Sequence, residues 1–279
     1  DYQESETISY NDIILEGWNN KKIVTFSSQA ITNNIINPNT EADAFLARAV
    51  NSSPISDQIA LVRKTFIDLK NAGILAKLDF LEFEWINQTD SLLNWIQDNF
   101  NWSVTVSPSW ASKGGWTGNG TSQFINMNIP LNTGGLKYQQ NNACFGVEIV
   151  NITGKTGCPI GSYKDPALSA MNIVSGVGYN RINMGTSGTI NDLLVTGYNC
   201  MNRLSSTSFN MWKNSTKVNG TSASIAPPNL GPYLLALNTD NVAGAYGNYQ
   251  IKKAWLGGGL TDQNWTDFMI IMDYYTAHI

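Results

Sequence analysis

The sequence predicts a mainly β protein: an antiparallel jelly-roll β-sandwich with short N-terminal helices and a C-terminal helix. Three observations predict it. Between Asn101 and Ile251, apolar runs of about four to eight residues alternate with clusters of Gly, Asn, Ser and Pro, the texture of many short strands joined by turns. The spacing of those runs leaves no room for crossover helices, so the sheets are expected to be antiparallel. The stretch Ser208 to Gly220, SFNMWKNSTKVNG, reads as strand, turn, strand. Phe209 and Met211 fall on one face and Asn210 and Trp212 on the other, because side chains alternate along a strand. Lys213–Thr216 holds no apolar residue and contains the turn formers Asn214 and Ser215. Lys217, Val218 and Asn219 start the return strand, and Gly220 ends it. Such a hairpin exposes an apolar face that another sheet must cover.

In chain order, residues 1–40 hold two short extended candidates, Thr7–Leu15 and Lys22–Ser27, followed by a linker-like stretch, Thr32–Thr40. Thr40-Glu41-Ala42-Asp43 resembles a capping box, so a helix is expected to about Val50, burying Phe45, Leu46 and Ala49. Ser56 is the next expected cap, with Asp57 favourable at the positive helix end. Ile59, Val62, Phe66 and Leu69 keep helical spacing; Gly73 stops that helix, and Ile74 packs back on it in a Schellman-type end. Leu78–Trp85, LDFLEFEW, reads as a strand and Ser91–Gln97 as a helical turn. Strands are then expected at Ser103–Val106, Gln123–Ile129, Ala143–Ile149, Ser169–Ile173, Asn180–Met184, Asp192–Tyr198, Ser208–Trp212, Tyr233–Leu237 and Tyr249–Leu256. The last element is a helix capped by Thr261, with Trp265, Phe268, Met269 and Met272 in one stripe lying on the sandwich.

Only 14% of residues are charged, so the polar surface must be made of uncharged groups; the chain holds 34 asparagines. A net charge of −4 and scattered Lys and Arg argue against a nucleic-acid partner, which needs a basic patch. No apolar run approaches the roughly 18 residues of a membrane span. The chain opens on Asp1 without a signal-peptide pattern, as expected for a processed or excised piece of something longer. Cys144, Cys158 and Cys200 are too few and too dispersed for a disulfide framework. Buried free thiols are expected, with one disulfide and one leftover thiol as the alternative.

Several segments together resemble one family. They are FLARAV with its capped helix, NAGILAKLDFLEF and SLLNW within Phe45–Trp95; WASKGGWTGNGTSQFINMNI at Trp110–Ile129; the hairpin FNMWKNSTKVNG; PYLLALNTD; and the closing IKKAWLGGGLTDQNWTDFMIIMDYYTAH. Their order is similar to that of a module in virion structural proteins of tailed bacteriophages and prophages, of tail- or head-fibre type. The resemblance covers about residues 41–279. It implies a concanavalin A-like (laminin-G-like) sandwich with a helical N-terminal addition at 41–98 and a sandwich body at 99–279, leaving 1–40 as an extended segment or linker. It further implies a non-enzymatic virion component, in a fibre, a tail or a capsid decoration, whose partners are other virion proteins and host-surface polysaccharide. A homo-oligomer fits that setting. No cofactor is implied, and no site is carried over residue by residue. A purely structural assembly module and a polysaccharide-cleaving enzyme are the alternatives.

Candidate chemistry is sparse. The one histidine, His278, lies next to the C-terminus, where a triad is a poor expectation, and three distant cysteines form no zinc pattern. Glycoside hydrolysis usually needs two carboxyl groups at defined separation. Glu82 and Glu84 would share a strand face roughly 7 Å apart. The laminarinase-like order Glu-x-Asp-x-x-Glu is not matched by Asp79, Glu82 and Glu84, so an exposed strand face is the simpler expectation, with Phe80, Leu81, Phe83 and Trp85 in the core. Asp165 and Asp240-Asn241 offer loop oxygens but no calcium-loop motif. Gly114-Gly115, Gly134-Gly135 and Gly257–Gly259 read as turns and bulges needing positive φ rather than phosphate loops. Aromatic residues can stack on sugars. Trp110, Trp116, Trp212 and Trp255 are expected in the core, whereas Trp18, Trp102 and Tyr246 are expected to be freer to face solvent and are the candidate binding residues.

Overall fold

The structure is a computed structural model and describes residues 40–279 other than 84, 186 and 187. The expected strands Thr7–Leu15 and Lys22–Ser27, the linker before Thr40, and the candidates Trp18 and Glu84 lie outside the described residues. The fold is mainly β, as predicted: two large sheets face each other, and helices cover one of them.

The first sheet contains β1 (Leu78–Phe83), β3 (Ser109–Ala111), β4 (Gly115–Thr117), β6 (Ala143–Ile149), β11 (Gly197–Arg203), β12 (Ser208–Lys213), β13 (Thr216–Thr221) and β17 (Gln250–Gly257). Its order is β13-β12-β11-β6-β17-β4-β3, with β1 beside the other half of β17. The second contains β2 (Ser103–Val106), β5 (Phe124–Asn126), β7 (Gly157–Lys164), β8 (Ala167–Val174), β9 (Val177–Gly178), β10 (Arg181–Met184), β14 (Tyr233–Leu234), β15 (Leu237–Thr239) and β16 (Val242–Gly244), ordered β10-β8-β7-β14-β5-β2 with β9, β15 and β16 off that path. The chain crosses repeatedly between sheets, as jelly-roll winding requires.

The hairpin forms at the predicted place. Phe209 and Met211 enter the core between the sheets, while Trp212 points out of the other face. Asn214 makes the turn with φ of 50°. The same alternation runs through β6, where Ala143, Phe145, Val147 and Ile149 face the second sheet and Cys144 faces away. Among the named strands described, one pairing departs from the expected antiparallel pattern: β15 runs parallel to β7. Leu235, at φ of 67°, turns the chain back after β14, so two short segments share one edge of β7 in opposite directions. The strand expected at Asp192–Tyr198 begins only at Gly197, because the Asn199 amide ties up the 195 and 197 backbone. Ser91–Gln97 is helical only as the short turn Asp90–Leu92.

Helix α1 (Thr40–Arg48), α2 (Ser56–Asn71) and α3 (Asp262–His278) cover the outer face of the first sheet. Ser56 is the first helical residue rather than the cap; Gln58 Oε1 instead accepts the Ile55 backbone N–H at 3.0 Å. Gly73, at φ of 66°, ends α2, and the Ile74 N–H reaches back to Leu69 O at 2.9 Å. Thr261 Oγ1 caps α3 by accepting the Asn264 N–H at 3.1 Å. Trp265, Phe268, Ile271, Met272 and Tyr275 of α3 pack with Trp212 and Trp255 of the sheet. The central strands of the first sheet, β6, β11 and β17, are therefore buried on both faces. All three cysteines are buried free thiols. Gly257–Gly259 do not take positive φ. Space is the constraint there: a Cβ on Gly257 would come within 2.2 Å of Lys77 O.

Candidate functional site

At one end of the second sheet, a cleft of about 350 Å³ opens between the end of β5, the 229–231 segment and the turn from β15 to β16. Asn126, Asn128, Asn229, Asn238 and Asn241 supply most of its lining, with Pro130, Leu230 and Gly231. The backbone positions these amides. Asn126 ends β5, and its Oδ1 accepts the Asn128 N–H at 2.9 Å. Asn128 takes φ of 56° and spends its side chain on Asn101 O at 2.7 Å and Ser103 Oγ at 3.1 Å. Buried Asn238 joins two walls: Nδ2 donates to Gly231 O at 2.7 Å and Oδ1 accepts the Asn241 N–H at 2.9 Å. Asp240 and Asn241, at φ of 52° and 66°, make the turn, a conformation that Asn and Asp tolerate better than most residues.

Three amides remain available. Among the described residues, no hydrogen bond engages the side chains of exposed Asn229 and Asn241, or Asn126 Nδ2. Beside the cleft, Tyr233 stacks on Phe124 with ring centroids 4.6 Å apart, and Tyr246 lies 6.4 Å from Phe124. The Tyr233 hydroxyl approaches Asn241 O at 3.5 Å, joining this aromatic ledge to the cleft. Burial raises the Tyr233 phenol above its ordinary range, with Tyr246 adding to the shift, so it is a neutral hydrogen-bonding group at pH 7. Asp240 forms an ion pair with Lys164. Among the described residues, no Lys, Arg or His lines the cleft.

The sequence candidates fare unequally. Tyr246 is half-buried beside Phe124, within the ledge. Trp102 is not solvent-facing. It is 5% exposed and stacks on Phe80 at 5.4 Å in the core, because the short strand β2 turns its preceding residue inward. Glu82 is not on an exposed strand face either; it is 1% exposed, since both faces of β1 are covered. A sugar chain cannot reach it. Asp79 is likewise buried, and each of its oxygens accepts a backbone N–H, from Lys137 at 2.7 Å and Tyr138 at 2.8 Å. His278 is exposed, stacked on Tyr274, with Nδ1 2.7 Å from Tyr274 O. Asp165 takes a bond from the Tyr163 hydroxyl at 3.3 Å. Among the described residues, no three His, Cys, Asp or Glu side chains are placed to hold a metal ion, and no helix is long and apolar enough to cross a membrane.

No family model matches the sequence, and no curated protein matches it. Among solved structures, the chain is similar to domain 4 of AbnA, a GH43 extracellular arabinanase from Geobacillus stearothermophilus, in complex with arabinotriose. The identity is 13% and the TM-score 0.43, over 69% of this chain and 98% of that one. It is also similar to a mutant of Trypanosoma rangeli sialidase displaying trans-sialidase activity (10% identity, TM-score 0.47, 78% of this chain and 39% of that one). A third similarity is to the botulinum neurotoxin serotype D binding domain (10% identity, TM-score 0.40, 73% of this chain and 52% of that one). The chain thus spans well under half of the sialidase and about half of the toxin domain. Likeness at this level carries no argument about a site or ligand.

Proposed function

We propose that this chain is a non-enzymatic module that contacts glycan through the asparagine cleft and its aromatic ledge. One observation carries the proposal: the side chains of Asn229 and Asn241 and the Asn126 Nδ2, which make no hydrogen bond among the described residues, line one cleft beside Tyr233. A primary amide offers donors and acceptors together, the complement of a sugar's hydroxyl groups. The partly exposed rings of the ledge, Phe124 and Tyr246, supply apolar contact, and buried Tyr233 supports them from behind. The setting proposed is the surface of a phage virion, as a fibre, tail or capsid-decorating component that also meets other virion proteins. That part rests on the order of sequence motifs from Phe45 to the C-terminal helix.

The test is retardation of the purified chain in native gels cast with bacterial surface polysaccharides, with the sugar then checked for shortening. Retardation that is lost in Asn229→Ala combined with Asn241→Gly supports the proposal. Glycine suits position 241 because it keeps the left-handed backbone accessible. Retardation unchanged in that variant moves the contact elsewhere. Shortened sugar makes the protein an enzyme, and no retardation on any gel favours a purely structural assembly module.

A further inference from the structure

We infer that the cleft takes uncharged sugar residues and excludes uronic and sialic acids. The inference rests on the glycan reading above and narrows it to a substrate class.

Among the described residues, the lining is amide, backbone and aliphatic, without a formal charge. A carboxylate entering it would leave water, and burial of an anion is costly unless a cation or several strong donors replace the lost hydration. Proteins that capture carboxylates usually provide a fixed cation, most often the two-pronged guanidinium of Arg. Next to the cleft wall, Lys164 is held in an ion pair by Asp240, the chain neighbour of Asn241. Releasing Lys164 to a ligand would leave the Asp240 carboxylate unpaired near the incoming anion, so nothing is gained. The chain as a whole is also negative, at −4, and repels polyanions at low ionic strength. A neutral hydroxyl pair meets none of these penalties and satisfies amides that otherwise face only water.

The experiment compares the intact 279-residue chain on native gels cast with neutral polymers, a glucan and a mannan, and with acidic ones, polygalacturonate and polysialate. Neutral polymer is expected to retard the chain at least about tenfold more strongly per unit concentration than acidic polymer. Retardation by neutral polymer is expected to be unchanged between about 0.02 and 0.5 M salt, since no charge pair is screened. A second variant tests the cause. Asn229 is exposed and makes no hydrogen bond among the described residues, so Asn229→Lys leaves the fold intact and adds the missing cation. It is expected to gain affinity for the acidic polymers by several-fold. Equal retardation of the native chain by acidic and neutral polymers overturns the inference while leaving glycan contact standing. Retardation by neither, with a folded chain confirmed by its melting transition, overturns the glycan reading itself.

Discussion

Trp212 and Trp265 lie face to face, their rings 5.1 Å apart and within 5° of parallel. One belongs to the hairpin and the other to the last helix. Trp265 Nε1 also donates to Asn214 O at 2.8 Å, in the turn of that same hairpin. The two segments most recognisable in the sequence therefore hold each other.

Trp265→Ala should destabilise the fold by about 3–5 kcal/mol, the range for deleting a large buried aromatic ring. Trp265→Phe keeps much of the ring but loses the bond to Asn214 O. About 1 kcal/mol of the loss is expected to remain, beyond any packing cost. Denaturant melts of both variants check the split; a Phe variant as stable as wild type would show that the hydrogen bond adds nothing.

Lys253 is fully buried and bonds Glu148, on the neighbouring strand β6, and Thr276 of α3. Removing one partner of a buried pair strands the other. Lys253→Met should cost about 3 kcal/mol, and adding Glu148→Leu should recover most of it. A double-mutant cycle in urea measures the coupling.

Asn238 is a positioning residue for the cleft. Asn238→Ala leaves Gly231 O and the Asn241 N–H without partners, at about 1–3 kcal/mol. Glycan retardation should fall even under conditions where the variant is fully folded. Asn238→Asp keeps the acceptor for Asn241 and should restore part of the retardation, which a merely structural role would not do in parallel with its melting temperature.

Burial holds the Asp79 carboxyl above the usual carboxylate range, against the opposing pull of the Lys137 and Tyr138 N–H groups. A carboxyl that keeps its proton more tightly when folded stabilises the fold at low pH. That contribution is lost as pH rises from the ordinary carboxylate value through the raised one. The difference in melting temperature between wild type and Asp79→Asn, followed from about pH 3 to 7, should therefore shift in favour of the variant as pH rises. A flat difference would show that the two backbone donors fully offset burial.

The parts of the fold that are legible in the sequence are those whose signal is local. Phe209, Met211 and Trp212 alternate cleanly, Thr261 stands just before an apolar stripe, and Gly73 follows one, so hairpin and helices can be read directly. Strand β7 is hidden because GCPIGSYK carries Gly157, Pro159 and Gly161, which ordinarily break strands. Here Pro159 falls in a register irregularity between Gly157 and Ile160, where no ladder bond is needed. The outer burial of β1 is equally hidden, since it depends in part on the last helix, whose Tyr275 packs on Phe83. The cleft is the least legible feature. Asn126 and Asn241 meet only through the pairing of β5, β14 and β7, and in a chain with 34 asparagines none of them stands out.

The two sheets are covered unequally, and that sets a hierarchy of opening motions. Strands β6, β11 and β17 have neighbours on both edges and packed layers on both faces, so their amide hydrogens should exchange with solvent only when the whole molecule unfolds. Strand β2 is an edge strand with largely exposed side chains, and it and its neighbour β5 should exchange through local openings far below the global cost. The asparagine cleft is built on the end of β5. Its lining can rearrange around a bound molecule while the helix-backed sheet stays closed.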